Sequence, residues 1–141
     1  MERISYNTAA LAQEKRFNLP VTAFYKVKDF LPILEENVPI SNYNGQIYLK
    51  SAPFQYELLD WLRNVHKVLI IVVYNYEYDS TPWEWFIHKL DENGKPMIIF
   101  ESPIGSGMCD TLQSMSSFTK YEDALEDALT RGLKLIGFQN E

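Results

Sequence analysis

One short run, Val68–Tyr74, constrains the fold of this chain more than any other sequence feature. It is apolar up to its closing tyrosine, mostly β-branched, and too short to form a separate buried helix. The run therefore predicts a strand that is largely covered on both faces. Just before it, apolar residues at positions 54, 58, 61, 62 and 65 have the spacing of one helical face, which predicts an amphipathic helix leading into the strand.

Two turn signals divide the residues that follow into further strands. Asp79–Pro82 carries the first signal, and Asn93 with Gly94 forms the second, a pair typical of tight hairpins. The segments bounded by these turns are Trp83–Leu90 and Met97–Phe100. We therefore predict a three-stranded antiparallel meander.

A second amphipathic helix is predicted after the meander. Thr119 and Glu122 have the spacing of a capping box, in which each side chain accepts a hydrogen bond from a free backbone amide. Acidic residues crowd the helix start, and Arg131 lies near its end, which suits the helix dipole. We expect the two helices that flank the meander to share one face of the sheet, with Trp61 and Leu125 in the core.

The first part of the chain gives weaker signals. Ser5 can cap a short helix, and Val21–Lys28 shows the alternation of a strand. From Asp29 to Ser51, two prolines and a turn-rich stretch predict loops and one brief strand at Gln46–Leu49.

The predicted fold class is α+β, a three-stranded antiparallel meander flanked by two helices, with an N-terminal helix and a short strand added. We divide the chain into an N-terminal extension, residues 1–50, and a helix–strand–strand–strand–helix core, residues 51–141. The full length of 141 residues nevertheless suits one compact domain overall.

Aromatic side chains concentrate around the first predicted turn and form the candidate contact site. Tyr74, Tyr76 and Tyr78 alternate on one face of their strand, and Trp83 and Trp85 alternate on the next. Cross-strand aromatic pairs stabilise hairpins, so these rings could belong to the core. Exposed Tyr and Trp are also favoured at protein interfaces, which makes a partner contact the functional alternative.

The glycine- and serine-rich stretch 102–117 holds the most enzyme-like position, Cys109. Its thiol could act as a nucleophile if His66 or His88 approached it, although a free cysteine in a loop is the simpler interpretation. The two histidines lack partners at zinc-ligand spacing. We therefore predict no catalytic residue, no metal site and no cofactor.

Composition excludes two broad classes. A single cysteine can form neither an internal disulfide nor a multi-cysteine metal site. No apolar run approaches the ~18 residues that span a bilayer, and the first residues do not resemble a signal peptide. We expect a cytoplasmic protein without membrane contact.

Three segments resemble a family of small phage- and prophage-encoded proteins of gut bacteria. They are Ile4–Asn18, Ser51–His66 and Lys120–Ile136, and the run Trp61-Leu62-Arg63 with Val65-His66 is the most distinctive part. The resemblance implies an accessory protein of mobile elements in a bacterial host cell. It implies no activity and no site residues.

The order of predicted elements from residue 53 is also similar to that of the double-stranded-RNA-binding domain. That family contacts phosphates through lysines at the start of its last helix, where this chain has Lys120, Tyr121, Glu122 and Asp123. We therefore expect a non-enzymatic accessory or protein-interaction protein that binds an unknown protein partner or a second copy of itself. A nucleic-acid-associated module and, after it, a small enzyme are the alternatives.

Charge yields the first prediction. Residues 51–141 carry seven Lys and Arg against fourteen Asp and Glu, and the whole chain has a formal net charge of −6. Nucleic-acid affinity comes largely from cations that displace counterions, so we expect no binding to duplex RNA or DNA at physiological salt. Fluorescence anisotropy titration checks this, and micromolar, salt-sensitive binding would favour the nucleic-acid alternative.

Overall fold

The computed structural model describes residues 1–97, 100–101, 108–109 and 111–137. Within them the predicted α+β class is confirmed. The helices are α1 (Tyr6–Glu14), α2 (Gln55–His66) and α3 (Tyr121–Leu135), and a 3₁₀ turn spans Tyr43–Gly45. The strands are β1 (Val21–Lys28), β2 (Leu31–Ser41), β3 (Lys50–Ser51), β4 (Val68–Tyr74), β5 (Trp83–Lys89), β6 (Phe100–Glu101), β7 (Met108–Cys109) and β8 (Leu112–Gln113).

The first sheet has the order β2–β1–β3, and it corrects the prediction of loops after Asp29. β2 is an 11-residue strand paired antiparallel with β1, whereas Gln46–Leu49 is not a strand. β2 was not predicted because this strand contains Pro32 and Pro39, and proline lowers strand propensity. Both prolines are tolerated here because β2 lies at the edge of the sheet, where a missing N–H costs little.

The second sheet has the order β4–β5–β8. β4 and β5 pair antiparallel from Val68 opposite Lys89 to Tyr74 opposite Trp83, as predicted. The third place is taken by Leu112–Gln113, which pairs with Phe86 and Ile87.

Among the described residues, the strand that pairs with the second edge of β5 is therefore β8 and not the predicted third strand, Met97–Phe100. Met97 donates its backbone N–H to the Lys89 carbonyl (2.7 Å), so the hairpin after β5 does form. Positions 98 and 99 lie outside the described residues, and Phe100 pairs with Cys109 in a separate two-stranded sheet. Strands of two residues, such as β6 and β8, are too short to show the alternation of apolar and polar residues that predicts a strand. Their pairing is set by residues distant in the sequence.

One hydrophobic core lies between the second sheet and the helices, and α2 and α3 pack on the same face of β4. Trp61 and Leu125 are both buried in it, as predicted. Gly132 allows the close approach of α3, since a Cβ there would lie 3.2 Å from Ile70 Cδ1 and 3.3 Å from Leu62 Cδ1. The core also includes residues of the first fifty, namely Ile4, Ala9, Ala12, Phe17 and Val21.

The opposite face of β4 is less covered than the apolar run suggested. Ile71 is 39% exposed, and its neighbours Leu69 and Val73 are only partly buried. The prediction of a strand covered on both faces is therefore wrong for this side, because both helices pack on the other one.

The helix starts agree with the sequence in part. Ser5 caps α1, since its Oγ accepts a hydrogen bond from the Thr8 N–H (3.2 Å). The predicted capping box at Thr119 is wrong, because α3 is preceded by Lys120 and has no side-chain cap. Glu57 instead performs half of this role in α2, where its carboxylate accepts from the Phe54 N–H (2.8 Å).

The packing of the core predicts how much stability is lost when a buried side chain of α2 or α3 is replaced by alanine. Trp61→Ala should lower the free energy of unfolding by about 3–5 kcal/mol and Leu125→Ala by about 2–5 kcal/mol, because each removes buried apolar atoms and leaves a cavity. Val65→Ala is the matched control in α2, since Val65 is 57% exposed, and should cost well under half as much. Urea unfolding measures all three, and equal losses at Trp61 and Val65 would contradict this packing.

Candidate functional site

Four aromatic side chains form a continuous row, which we call the aromatic ridge: Tyr76, Tyr74, Trp83 and Tyr121. Successive ring centroids lie 4.9, 5.1 and 5.3 Å apart, and each pair meets edge to face. Tyr76 is 88% exposed, and Tyr74 and Tyr121 remain 49% and 40% exposed although they contact Trp83. The rings therefore hold one another in place while presenting much of their surface to solvent.

Backbone pairing and an asparagine position the ridge. Tyr74 ends β4 directly opposite Trp83, and the Asn75 N–H donates to the Pro82 carbonyl (2.6 Å). The Asn75 side chain accepts from the Glu77 N–H (3.0 Å) and donates to Glu84 Oε1 (3.3 Å). On the other side, Trp83 exchanges two backbone hydrogen bonds with Phe118. These bonds order the chain on both sides of the exposed rings.

The other two candidate aromatic residues lie outside the ridge. Tyr78 is 41% exposed and belongs to none of the ring pairs of the ridge. Trp85 is buried in the core, where its indole Nε1 donates to Asp127 Oδ2 (2.8 Å). A partner cannot reach Trp85 without unfolding this region, so we leave it out of the contact surface.

Sequence reasoning missed Tyr121 as a member of the site. Its spacing from Ala124, Leu125 and Ala128 predicts a place on the apolar face of the last helix, and nothing local distinguishes a core tyrosine from an exposed one. Its ring joins the ridge only because α3 begins beside Trp83.

A second polar arrangement, the Glu126 cluster, consists of Glu126, Ser5, Thr8 and Gln55. Glu126 Oε2 accepts from the Ser5 N–H (3.0 Å) and from the Thr8 hydroxyl, and Oε1 accepts from Gln55 Nε2 (3.0 Å). Both carboxylate oxygens are thus occupied by protein donors. The cluster joins α3 to the N-terminal ends of α1 and α2, which is a structural role.

Tyr25 lies near this cluster and donates its hydroxyl to the Ile4 carbonyl (2.7 Å). Burial raises the pKa of Tyr25 above its usual value, and the negative charges of Glu126 and Glu36 raise it further. The phenol therefore stays protonated and acts as a hydrogen-bond donor, which again indicates a structural role.

The histidines considered as partners for a nucleophile lie in different surroundings. His66 packs against the Trp61 ring, with centroids 4.6 Å apart, and burial together with nearby Lys89 lowers its pKa. Lys89 donates to the His66 carbonyl, and burial lowers the pKa of this lysine too. His88 Nδ1 lies 3.3 Å from Thr111 Oγ1.

The thiol of Cys109 lies outside the part of the structure that is described. Cys109 is described only as part of strand β7, and the adjoining positions 102–107 and 110 lie outside the described residues. The hypothesis of a nucleophilic Cys109 therefore stays untested. Within the described part of the chain, no group of three His, Cys, Asp or Glu side chains could hold a metal ion.

No described helix combines the length and the apolar character needed to cross a membrane. No protein-family model, no curated protein and no solved structure matches this chain significantly. The resemblance to phage-encoded proteins consequently stays a prediction, and the functional argument rests on the chain's own surface.

The Glu126 cluster generates a stability prediction. Glu126→Ala should lower the free energy of unfolding by about 2–4 kcal/mol, because it removes the charged acceptor that Ser5, Gln55 and the buried Thr8 hydroxyl share. Glu122→Ala is the control one turn earlier on the same helix, since its carboxylate is exposed; it should cost less than about 1 kcal/mol. Chemical unfolding of both variants measures the difference, and equal losses would rule out a special role for Glu126.

Proposed function

We propose that this chain is a non-enzymatic accessory protein of a phage or mobile element that acts by binding another protein through the aromatic ridge. The proposed place of action is the cytoplasm of a bacterial host. The ridge is the observation that carries the contact role, and the resemblance of the three segments named above supports the mobile-element origin.

Three properties of the ridge favour protein binding. Tyr and Trp supply large contact area, and they lose few rotatable bonds when a partner binds. The edge-to-face contacts already restrict the rings before binding, which lowers the entropy lost on association. The hydrogen bonds of Asn75 hold the supporting turn in the same way.

Burial supports a role outside the fold for the most exposed ring. Tyr76 packs only along one edge of Tyr74 and is otherwise open to solvent, so it adds little to the stability of the core. Trp85 shows the opposite arrangement, a buried ring with its polar atom paired. The same local sequence thus supplies one ring for folding and others for contact.

The nucleic-acid alternative gains no support from the described surface. The ridge ends at Tyr121, which is followed directly by exposed Glu122 and Asp123. Carboxylates at this position would repel a phosphate backbone. A likeness to the double-stranded-RNA-binding domain would require three strands that follow one another directly along the chain. This likeness in the order of elements adds nothing to the proposed function.

The test compares binding and stability on the same variant. The double substitution Tyr74→Ser and Tyr76→Ser should weaken the partner's affinity by roughly thirty-fold or more, equivalent to about 2 kcal/mol, as at interface hot spots. Its unfolding midpoint should fall much less than that of Trp61→Ala, because Tyr76 is 88% exposed and Tyr74 is only half-buried. The partner is first captured on the wild-type protein from host-cell lysate, identified by mass spectrometry and purified for direct titration.

Tyr48→Ser is the matched control, since Tyr48 is 87% exposed and makes none of the ring contacts of the ridge. It should leave the affinity unchanged. If the double variant binds the purified partner as tightly as the wild type does, the ridge is not the contact surface. A lower unfolding midpoint with unchanged affinity would assign the rings to folding alone.

A further inference from the structure

The turn between β1 and β2 exposes apolar side chains at a strained backbone. Asp29 and Phe30 have φ angles of +52° and +66°, the left-handed values of a two-residue hairpin turn. Glycine and asparagine suit such positions, whereas a bulky residue is strained there. Phe30 is nevertheless the residue at the second position, and it is 99% exposed.

Its neighbours extend this apolar surface. Val27 is 53% exposed and Leu31 is 66% exposed, and together with Phe30 they form what we call the hairpin tip, residues 27–31. None of the three belongs to the core cluster. A strained and fully exposed Phe ring adds nothing to the stability of this fold, so its use must lie in a contact outside the chain.

A groove between α2 and α3, the α2–α3 groove, matches the hairpin tip in size. Its volume is about 200 Å³, and its apolar lining comes from Met1, Tyr56, Leu59, Tyr121 and Leu125. Pockets for whole small-molecule ligands usually measure ~300–1,000 Å³, so this groove suits a single inserted side chain better. A phenyl ring is a side chain of that size.

One residue of the hairpin tip, Lys28, is complementary in charge to the groove, although Asp29 beside it leaves the tip with no net charge. The groove is bordered by Glu2 and Glu122. The hairpin tip carries exposed Lys28 next to Asp29, and Lys26, further from the turn, is already paired with Glu35 (2.9 Å). Lys28 is thus the charge available to meet the two glutamates when the ring enters the groove.

We propose that this chain associates with itself head to tail, with Phe30 of one copy inserted into the α2–α3 groove of the next. The two surfaces differ, so the contact is heterologous. An open chain of copies keeps one free tip at one end and one free groove at the other, unless the rotation between copies closes a ring. This inference does not depend on the ridge's partner, although Tyr121 borders both surfaces.

The test uses one variant for each surface. Phe30→Gly removes the ring and replaces a strained residue by one that adopts positive φ readily, so the unfolding midpoint should not fall. Tyr56→Arg places a cation and a longer side chain at the groove, at a residue that is 46% exposed. Sedimentation velocity at physiological salt, from micromolar to submillimolar concentration, measures the mass of each species.

The wild-type protein should grow in mass with concentration, and each variant alone should stay monomeric. An equimolar mixture of the two variants should form dimers and nothing larger, because only one intact tip and one intact groove remain for each pair. Tyr48→Ser and Tyr76→Ser should both associate like the wild type, which separates this contact from the ridge. A wild-type protein that stays monomeric, or a mixture that forms no dimer, overturns the proposal.

Discussion

The carboxylate of Glu126 is the polar interaction on which the arrangement of the helices depends. A partly buried charge is costly unless donors surround it, and its donors come from the first turns of two other helices. α1 and α2 can therefore meet this oxygen pair only with their N-terminal ends against α3. The apolar core then fills the space that this arrangement leaves, with Gly132 allowing α3 to approach β4 and α2 closely.

The surface features follow from where α3 begins. Tyr121, Glu126 and Asp127 lie within its first two turns, and each contacts a different part of the molecule. Tyr121 meets Trp83 and completes the ridge, whereas Asp127, itself exposed, accepts the indole N–H of the buried Trp85. A displacement of this helix would therefore disturb the core and the contact surface together.

The two proposed contact surfaces differ in how their rings are held. The ridge consists of rings that restrict one another, so little order remains to be gained when a partner binds. The hairpin tip instead places the single Phe30 ring on a strained turn. The free-energy cost of exposing this apolar ring to water is offset only when a groove covers it. The whole chain carries a formal net charge of −6, which disfavours phosphate-bearing partners.

Local patterns in the sequence determined α1 with its Ser5 cap, the apolar face of α2, and the antiparallel pair β4 and β5, because periodicity and turn residues act over a few positions. Only the tertiary structure decided the rest. β2 could not be predicted because its prolines are acceptable only at a sheet edge. β8 could not be predicted because two residues are too few to show the alternation of a strand. Trp83 and Trp85 look equivalent in the sequence, but only Trp85 is buried, whereas Trp83 stays partly exposed beside Tyr121 of α3. Glu126 accepts hydrogen bonds from residues 71 to 121 positions away in the sequence, and no sequence pattern predicts a contact over such a separation.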